Sequence, residues 1–219
     1  MSGEFSAILC GVGGQGLVLM SNIIGNACAE SGIRVITGEQ HGLSQRSGSV
    51  SIHLRIGNDV KSPLIPVGGG DAIISLEGIE TLRYVEYLKE DGVVLMNSRV
   101  MYPITDTKRL VDDRSKKSAY FDLTTVQGRL KQITSNVLAV DALEIARNAG
   151  NALSENVVLL GAVSVLESFP VGTDAIRNAI AKLVPPKARD ANLKAFDLGS
   201  RVSFERFCDK LPCKKPAAK

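Results

Sequence analysis

The sequence predicts an α/β domain in which a mostly parallel, mixed sheet is covered by helices and a helical part follows. Short apolar runs alternate with longer segments of helical periodicity, a pattern typical of a sheet covered on both faces. The 219 residues are 44% hydrophobic and 22% charged, which suits one compact core. We therefore expect a Rossmann-like three-layer domain over 1–206 and a disordered basic tail over 207–219.

The predicted strands are short, and most of them are rich in β-branched residues. The strands are expected at 5–10, 33–39, 49–57, 60–66, 71–77, 93–97, 119–123 and 136–141. Segment 49–57 alternates apolar and polar residues, with His53 on the polar face. The turn signal Asn58-Asp59 joins this segment to 60–66 as a hairpin, which makes the sheet mixed.

The predicted helices follow from apolar spacing and from capping residues at their ends. They are expected at 16–32, 78–92, 124–133, 141–150, 154–170, 173–185 and 189–207. Gly32 is placed to end the first helix, and Ser154 and Thr173 stand where N-caps belong. Segment 98–117 is polar and charged and is expected to be a loop.

Composition argues against several classes of function. The net charge is only +3, aromatic residues make up 5% of the chain, and tryptophan is absent, so a nucleic-acid surface is not expected. No apolar run approaches the roughly 20 residues that span a bilayer, and the N-terminus lacks a basic leader. We therefore expect a cytoplasmic protein without membrane contact.

The cysteines at positions 10, 28, 208 and 213 are scattered, and we expect all of them to be free thiols in a reducing compartment. An iron–sulfur cluster needs several cysteines at tight spacing, and this chain has no C-x-x-C. With only two histidines in addition, no metal site is predicted.

The most specific local motif is GVGGQG at 11–16, which follows a strand and opens a helix. Its G-x-G-x-x-G spacing, with Glu39 about 20 residues later, is typical of a dinucleotide site. A lone motif of this kind is equally compatible with a close strand–helix junction that binds nothing. Gly14 and Gln15 are required by neither interpretation.

A second polar loop follows the next strand, and core packing does not explain its residues. Glu39, His41, Gln45, Arg46 and Ser47 stand close together there, so we expect the loop to meet a ligand or another chain. An arginine among serines, facing a helix start, suits an anion such as a phosphate or a partner's carboxylate. His41 is a candidate for proton transfer or for an interface hydrogen bond.

Taken together, the two loops resemble those of the gamma-type domain of 2-oxoacid:ferredoxin oxidoreductases, and most closely the small subunit of the indolepyruvate branch. The resemblance rests on GVGGQG, on EQHGLSQRSGSV (39–50), and on ENVVLLGAV and DANLKAFDLG further along. Ser47 departs from the family pattern, in which a glycine is usual. The resemblance covers roughly residues 5 to 200 and marks 1–206 as the gamma-type catalytic domain.

The resemblance implies an enzyme complex that decarboxylates a 2-oxoacid on thiamine diphosphate, passes electrons to ferredoxin and releases an acyl-coenzyme A. Thiamine diphosphate and 4Fe–4S clusters would lie on a larger alpha subunit, and the small chain would complete the active-site region and be inactive alone. The expected cofactor-binding and docking residues are Gly11, Gly13, Gly14, Gln15, Gly16, Glu39, Gln45 and Arg46. No catalytic residue is assigned beyond the candidate His41.

Two other hypotheses remain open from the sequence. One is a free-standing NAD(P)-binding oxidoreductase that uses the glycine loop. The other is a non-catalytic nucleotide-binding scaffold subunit.

Overall fold

The computed structural model describes residues 4–42, 48–101 and 122–216, and a six-stranded sheet forms its centre. The strands are β1 (Phe5–Val12), β2 (Val35–His41), β3 (Ser49–Ile56), β4 (Gly70–Ser75), β5 (Leu88–Asn97) and β6 (Val137–Val140). Their order is β2-β3-β1-β4-β5-β6. β3 runs antiparallel to both β1 and β2, and β1, β4, β5 and β6 run parallel. The predicted mixed, mostly parallel sheet is confirmed.

Helices cover the sheet and form the C-terminal part of the described chain. They are α1 (Leu17–Glu30), α2 (Gly78–Arg83), α3 (Leu123–Leu130), α4 (Ala142–Ala149), α5 (Glu155–Ser164), α6 (Thr173–Leu183) and α7 (Arg189–Phe207). The four predicted helices after residue 140 are all present. Within the described ranges, no helix combines the length and apolarity that crossing a bilayer requires.

The central strands of the sheet are buried on both faces, as their continuous apolar runs indicate, while the edge strand β2 is partly exposed. Successive residues of β1 point to opposite faces of the sheet, so Leu9 lies in the larger core and Ile8 in the smaller one. The larger core packs against α1 and α4 to α7, and the smaller one packs against α3 and the segment around Tyr84. The predicted three-layer arrangement is therefore confirmed.

The predicted hairpin is wrong, because segment 60–66 forms no strand. Pro63 and Pro66 have no backbone N–H with which to extend a ladder. The segment instead packs Ile65 into the smaller core, and the Ile65 N–H donates to Nδ1 of His53 over 3.1 Å. His53 is consequently buried rather than facing water, and burial lowers its pKa. The structural role expected for this residue agrees with its position.

The predicted helix over 78–92 is also wrong in its second half. The helix ends at Arg83, one 3₁₀ turn follows, and β5 begins at Leu88, five residues before the predicted strand. Leu88 pairs with Gly70 of β4, so ladder hydrogen bonds override a helical pattern that is locally acceptable. Residues 119–121 of another predicted strand lie outside the described residues, while Asp122 caps α3.

Two cap predictions need adjustment. The hydroxyl of Ser154 donates to Asn151 O instead of capping α5. Thr173 is the first residue of α6, and Gly172 occupies the N-cap position.

The C-terminal segment departs from both predictions made for it. Cys208 and Cys213 form a disulfide, while Cys10 and Cys28 are free and buried as expected. The predicted disordered tail does not hold for its described residues, because Cys213 forms an isolated antiparallel bridge with Leu166. The short sequence separation of the two cysteines and the packing of the partly buried Leu211 against the core bring this segment back onto the domain.

Candidate functional site

The two loops singled out in the sequence meet at the carboxyl edge of the parallel strands. The glycine loop follows β1, and the second loop joins β2 to β3. The Gly13 N–H donates to Gly48 O over 2.9 Å, and the Gly42 N–H donates to Ser49 O over 2.8 Å. Both ends of the second loop therefore lie beside the glycine loop, although its residues 43–47, including Gln45 and Arg46, lie outside the described residues.

Gln15 acts as a clamp that fixes the glycine loop. Its Oε1 accepts the Val12 N–H over 2.7 Å, and its Nε2 donates to Leu76 O over 3.0 Å. A Cβ on Gly11 would lie 2.6 Å from that Oε1, which explains why a glycine stands there. The side chain spans the ends of β1 and β4, where the strand order reverses. Open α/β sheets bind their ligands in the crevice at such a point, and here the Gln15 amide crosses it.

A second clamp reaches the loop from the helical half of the chain. Gly16 precedes α1 with a left-handed φ of 81°, a conformation that glycine adopts without strain. The buried side chain of Asn156, at the start of α5, donates from Nδ2 to Gly16 O over 2.9 Å. Asn156 was not among the predicted site residues. The signal for it was a polar residue within the otherwise apolar run ENVVLLGAV.

A cavity of about 380 Å³ opens between the glycine loop and the start of β3. It is lined by Val12, Gly13, Gly14, Gln15, Gly16, Leu17, Val18, His41 and Val50. Apart from backbone groups, Gln15 and His41, its described lining is apolar, and Val18 is 40% exposed. Gly16 has no side chain with which to cap α1, and the first turn carries no acidic residue. The cavity therefore combines an apolar wall with the positive end of a helix.

Glu39 and His41 lie on the same face at the end of β2, because their pairing partners in β3 are Ile52 and Val50. Both were expected near a loop, but β2 extends through His41. Oε2 of Glu39 and Nε2 of His41 are 3.3 Å apart, and both side chains are exposed. Arg55, on the neighbouring strand, pairs with Glu4 over 2.9 Å and not with Glu39.

Glu77 and Glu80 follow β4 at the same edge, and both are buried. Both carboxylates form hydrogen bonds within the domain. Glu77 accepts the Glu80 N–H and the Met101 N–H, each over 2.8 Å, and burial raises its pKa. Glu80 accepts a hydrogen bond from the hydroxyl of Ser49, which precedes Val50 of the cavity wall. These bonds stiffen the base beneath both loops.

The fold and the carboxyl edge of its sheet define a class of protein. It is an α/β domain whose two loops, held by side-chain hydrogen bonds, present one apolar surface with a polar rim. Residues 6–202 match the family model described as pyruvate ferredoxin/flavodoxin oxidoreductase. The chain belongs to this family, and it is of the gamma type, as the two loops predicted.

Relatives match from end to end. The indolepyruvate oxidoreductase subunit IorB of Pyrococcus horikoshii is 38% identical over 203 residues, covering 92% of this chain and 97% of that protein. The IorB subunit of Archaeoglobus fulgidus is 40% identical over 196 residues, covering 90% and 94%. Both chains therefore correspond to this one over nearly their whole length.

A solved structure has the same fold. It is the gamma subunit of a keto/oxoacid ferredoxin oxidoreductase from Geobacter sulfurreducens, which is 25% identical with a TM-score of 0.64 over 92% of this chain and 99% of that one. The pyruvate oxidoreductase subunit PORC of Thermotoga maritima superposes with a TM-score of 0.65 at 22% identity, covering 90% and 96%. At that lower identity the second match supports the fold alone.

Proposed function

We propose that this chain is the small subunit of a thiamine diphosphate-dependent 2-oxoacid:ferredoxin oxidoreductase of the indolepyruvate type. The observation that carries the proposal is the 38–40% identity to IorB subunits over nine-tenths or more of each chain. The complex would oxidatively decarboxylate an aryl pyruvate to the acyl-coenzyme A. Thiamine diphosphate and the 4Fe–4S clusters would reside on the larger alpha subunit, with ferredoxin as the electron acceptor.

Within that complex, this chain's part is to present the loop edge to the larger subunit. The bond from Gly13 to Gly48 joins the two loops into one surface, and the Gln15 and Asn156 clamps hold the glycine loop at two points. A surface held in one conformation before binding loses less entropy when it is covered. This rigidity supports docking as the function of the edge.

The lining of the cavity favours docking over binding of the coenzyme A phosphates. Val18 is 40% exposed and offers apolar surface that a partner side chain can bury, with the buried Val12 and Val50 beside it in the lining, and such contacts supply most of the affinity at an interface. The free N–H groups at the start of α1 suit an anion, and Arg46 would add a charge. The N–H groups of α1 and Arg46 would therefore meet a coenzyme A phosphate or a partner carboxylate at the rim of the cavity, while the apolar wall would meet a partner side chain.

The proposal distributes roles among the predicted residues. Gly11, Gln15 and Gly16 shape the loop, and Gly14 is open to the surface, since a Cβ there would meet nothing within 4 Å. Gln45 and Arg46 meet the partner or coenzyme A from the second loop. Glu39 and His41 form the outer rim beside them, and His41 is retained as a candidate for an interface hydrogen bond.

The experiment is reconstitution of this full chain with its larger subunit. Ferredoxin reduction is followed with an aryl pyruvate and coenzyme A, using each chain alone and the two mixed. The proposal predicts turnover only for the mixture. Full turnover by the larger subunit alone would assign this chain to the scaffold hypothesis instead.

A second measurement distinguishes the proposal from the hypothesis of a free-standing NAD(P)-binding oxidoreductase. The chain alone is titrated with NADH, and fluorescence is followed. The clamp of Gln15 across the strand crevice predicts no saturable binding, and micromolar binding would contradict the proposal.

A further inference from the structure

The C-terminal residues 208–216, here called the strap, fold back onto the domain after α7 ends at Phe207. The Cys208–Cys213 disulfide closes a turn of four intervening residues, with the two Cα atoms 5.5 Å apart. Asp209 and Lys210 at the tip of this turn are exposed. The strap follows the residues that match the family model, which end at 202. Leu211 and Cys213 of the strap pack against the larger core.

The strap also contacts the segment between α5 and α6, while the disulfide links Cys213 to Cys208 at the end of α7. The Lys214 N–H donates to Val165 O over 2.7 Å, and the Glu167 N–H donates to Pro212 O over 3.1 Å. The Lys214 ammonium also donates to Phe169 O. These bonds are partly buried, because Val165 and Phe169 belong to the core. The disulfide adds to them a covalent link between the end of α7 and Cys213.

Beneath the strap lies a cavity of about 390 Å³ at the amino edge of the sheet, far from the glycine loop. Leu211 and Pro212 of the strap form part of its wall. The other wall carries Asp71 and Lys89, at the starts of β4 and β5, which form an ion pair. The position of the strap therefore decides how open this end of the molecule is to solvent.

We propose that Cys208 and Cys213 form a reversible thiol switch that fastens the strap over this cavity when oxidised and frees it when reduced. Both cysteines are partly exposed, so a dithiol reductant can reach them. One thiolate of the reductant attacks a protein sulfur and forms a mixed disulfide, and its second thiol resolves it. Two electrons and two protons pass to the protein, which gains two thiols, while the reductant becomes a disulfide.

The effect of reducing the disulfide is confined to the strap for two reasons. Closing so short a loop removes little chain entropy, so its opening leaves the domain folded. The remaining cysteines do not exchange with the pair, because Cys10 and Cys28 are buried and burial raises the pKa of each thiol to about 12. At neutral pH both stay protonated and unreactive.

The test is hydrogen–deuterium exchange of the full chain, air-oxidised and after treatment with dithiothreitol, combined with alkylation by iodoacetamide. Oxidised protein is expected to resist alkylation at 208 and 213, and reduced protein to gain both labels. Amides of 211–216 and 165–168 should exchange about tenfold faster or more after reduction, since they lose the fastening that limits local opening. Amides of β1 and α1 should not change.

The double variant Cys208→Ser/Cys213→Ser is the matched control. It should exchange at the rate of the reduced protein with or without dithiothreitol, while keeping the melting temperature of the reduced protein. Equal exchange in oxidised and reduced wild type would overturn the proposal. So would full alkylation of the air-oxidised chain, or a loss of protection throughout the domain on reduction, which would make the disulfide a structural cross-link.

Discussion

Asn156 donates its side-chain amide to the carbonyl of Gly16, 140 residues earlier in the chain, over 2.9 Å. The bond joins the start of α5 to the start of α1, and so the helical half of the domain holds the glycine loop in place. A Cβ on Gly16 would lie 2.6 Å from the same amide nitrogen. The geometry of the loop therefore depends on residues from both halves of the chain.

Replacing Asn156 with alanine should destabilise the domain by about 1–3 kcal/mol, because a buried side chain and its hydrogen bond to Gly16 O are lost. The free energy of unfolding in urea is the measurement. Asn148→Ala on the exposed face of α4 is the control, since its side chain is in solvent, and it should change stability by less than about 0.5 kcal/mol. Equal effects of the two substitutions would contradict this role.

Gln15→Glu should impair the loop while keeping the shape of the side chain. The carboxylate can still accept the Val12 N–H, but it cannot donate to Leu76 O as the amide does. We expect a loss of about 1–3 kcal/mol from the unpaired and repelled carbonyl, together with weaker binding of the larger subunit. Unfolding and association are both measured, and unchanged association would show that the clamp does not serve docking.

Val18→Asp should weaken association with the larger subunit at least about tenfold, because a carboxylate would be desolvated in an apolar contact. The side chain of Val18 is 40% exposed beside the cavity, so the isolated domain should keep its stability. Val67→Asp, at a site that is 70% exposed and remote from the cavity lining, is the control. Surface plasmon resonance gives the dissociation constant of each variant for the larger subunit. Equal affinities for the two variants would refute the docking site.

Glu77 should make stability depend on pH. Burial raises its pKa in the folded protein, so the neutral form is favoured by folding and the ionised form is not. Its contribution is fully present below the ordinary pKa of 4.5 and is lost as the pH rises through the raised value. Wild type should therefore gain stability relative to Glu77→Gln as the pH falls from neutral to about 4.5, as measured by urea unfolding at each pH. A constant difference between the two would contradict the shift.

Local signals in the sequence were enough to predict the elements around β1, α1 and the C-terminal helices. Each has a strong apolar period or capping residue, and the bounds predicted for α7 match those in the structure. Two of the failures share one cause. The burial of His53 and the early start of β5 depend on distant partners, Ile65 and Gly70, which no local pattern contains. The loss of the strand at 60–66 instead follows from Pro63 and Pro66, a local signal against a strand.

The sequence predicted only part of the candidate site, because the rest of the site also depends on contacts between distant residues. The family resemblance indicated that the glycine loop and the second loop belong together, and the Gly13–Gly48 bond places their ends side by side. The sequence did not reveal that Gln15 is committed to holding the loop, since its partner Leu76 lies 61 residues away. Nor did it indicate Asn156, because a buried amide in an apolar helix is recognised only once its acceptor is known.

The central claim is that the edge formed by the two loops is the face covered by the larger subunit. Hydrogen–deuterium exchange of this chain, alone and in the reconstituted complex, tests it most directly. The account predicts new protection in peptides covering 12–18 and 39–50, with little change at 57–69. Protection confined to α6 and α7 or to the strap, with the loop edge exchanging as it does in the free chain, would contradict it.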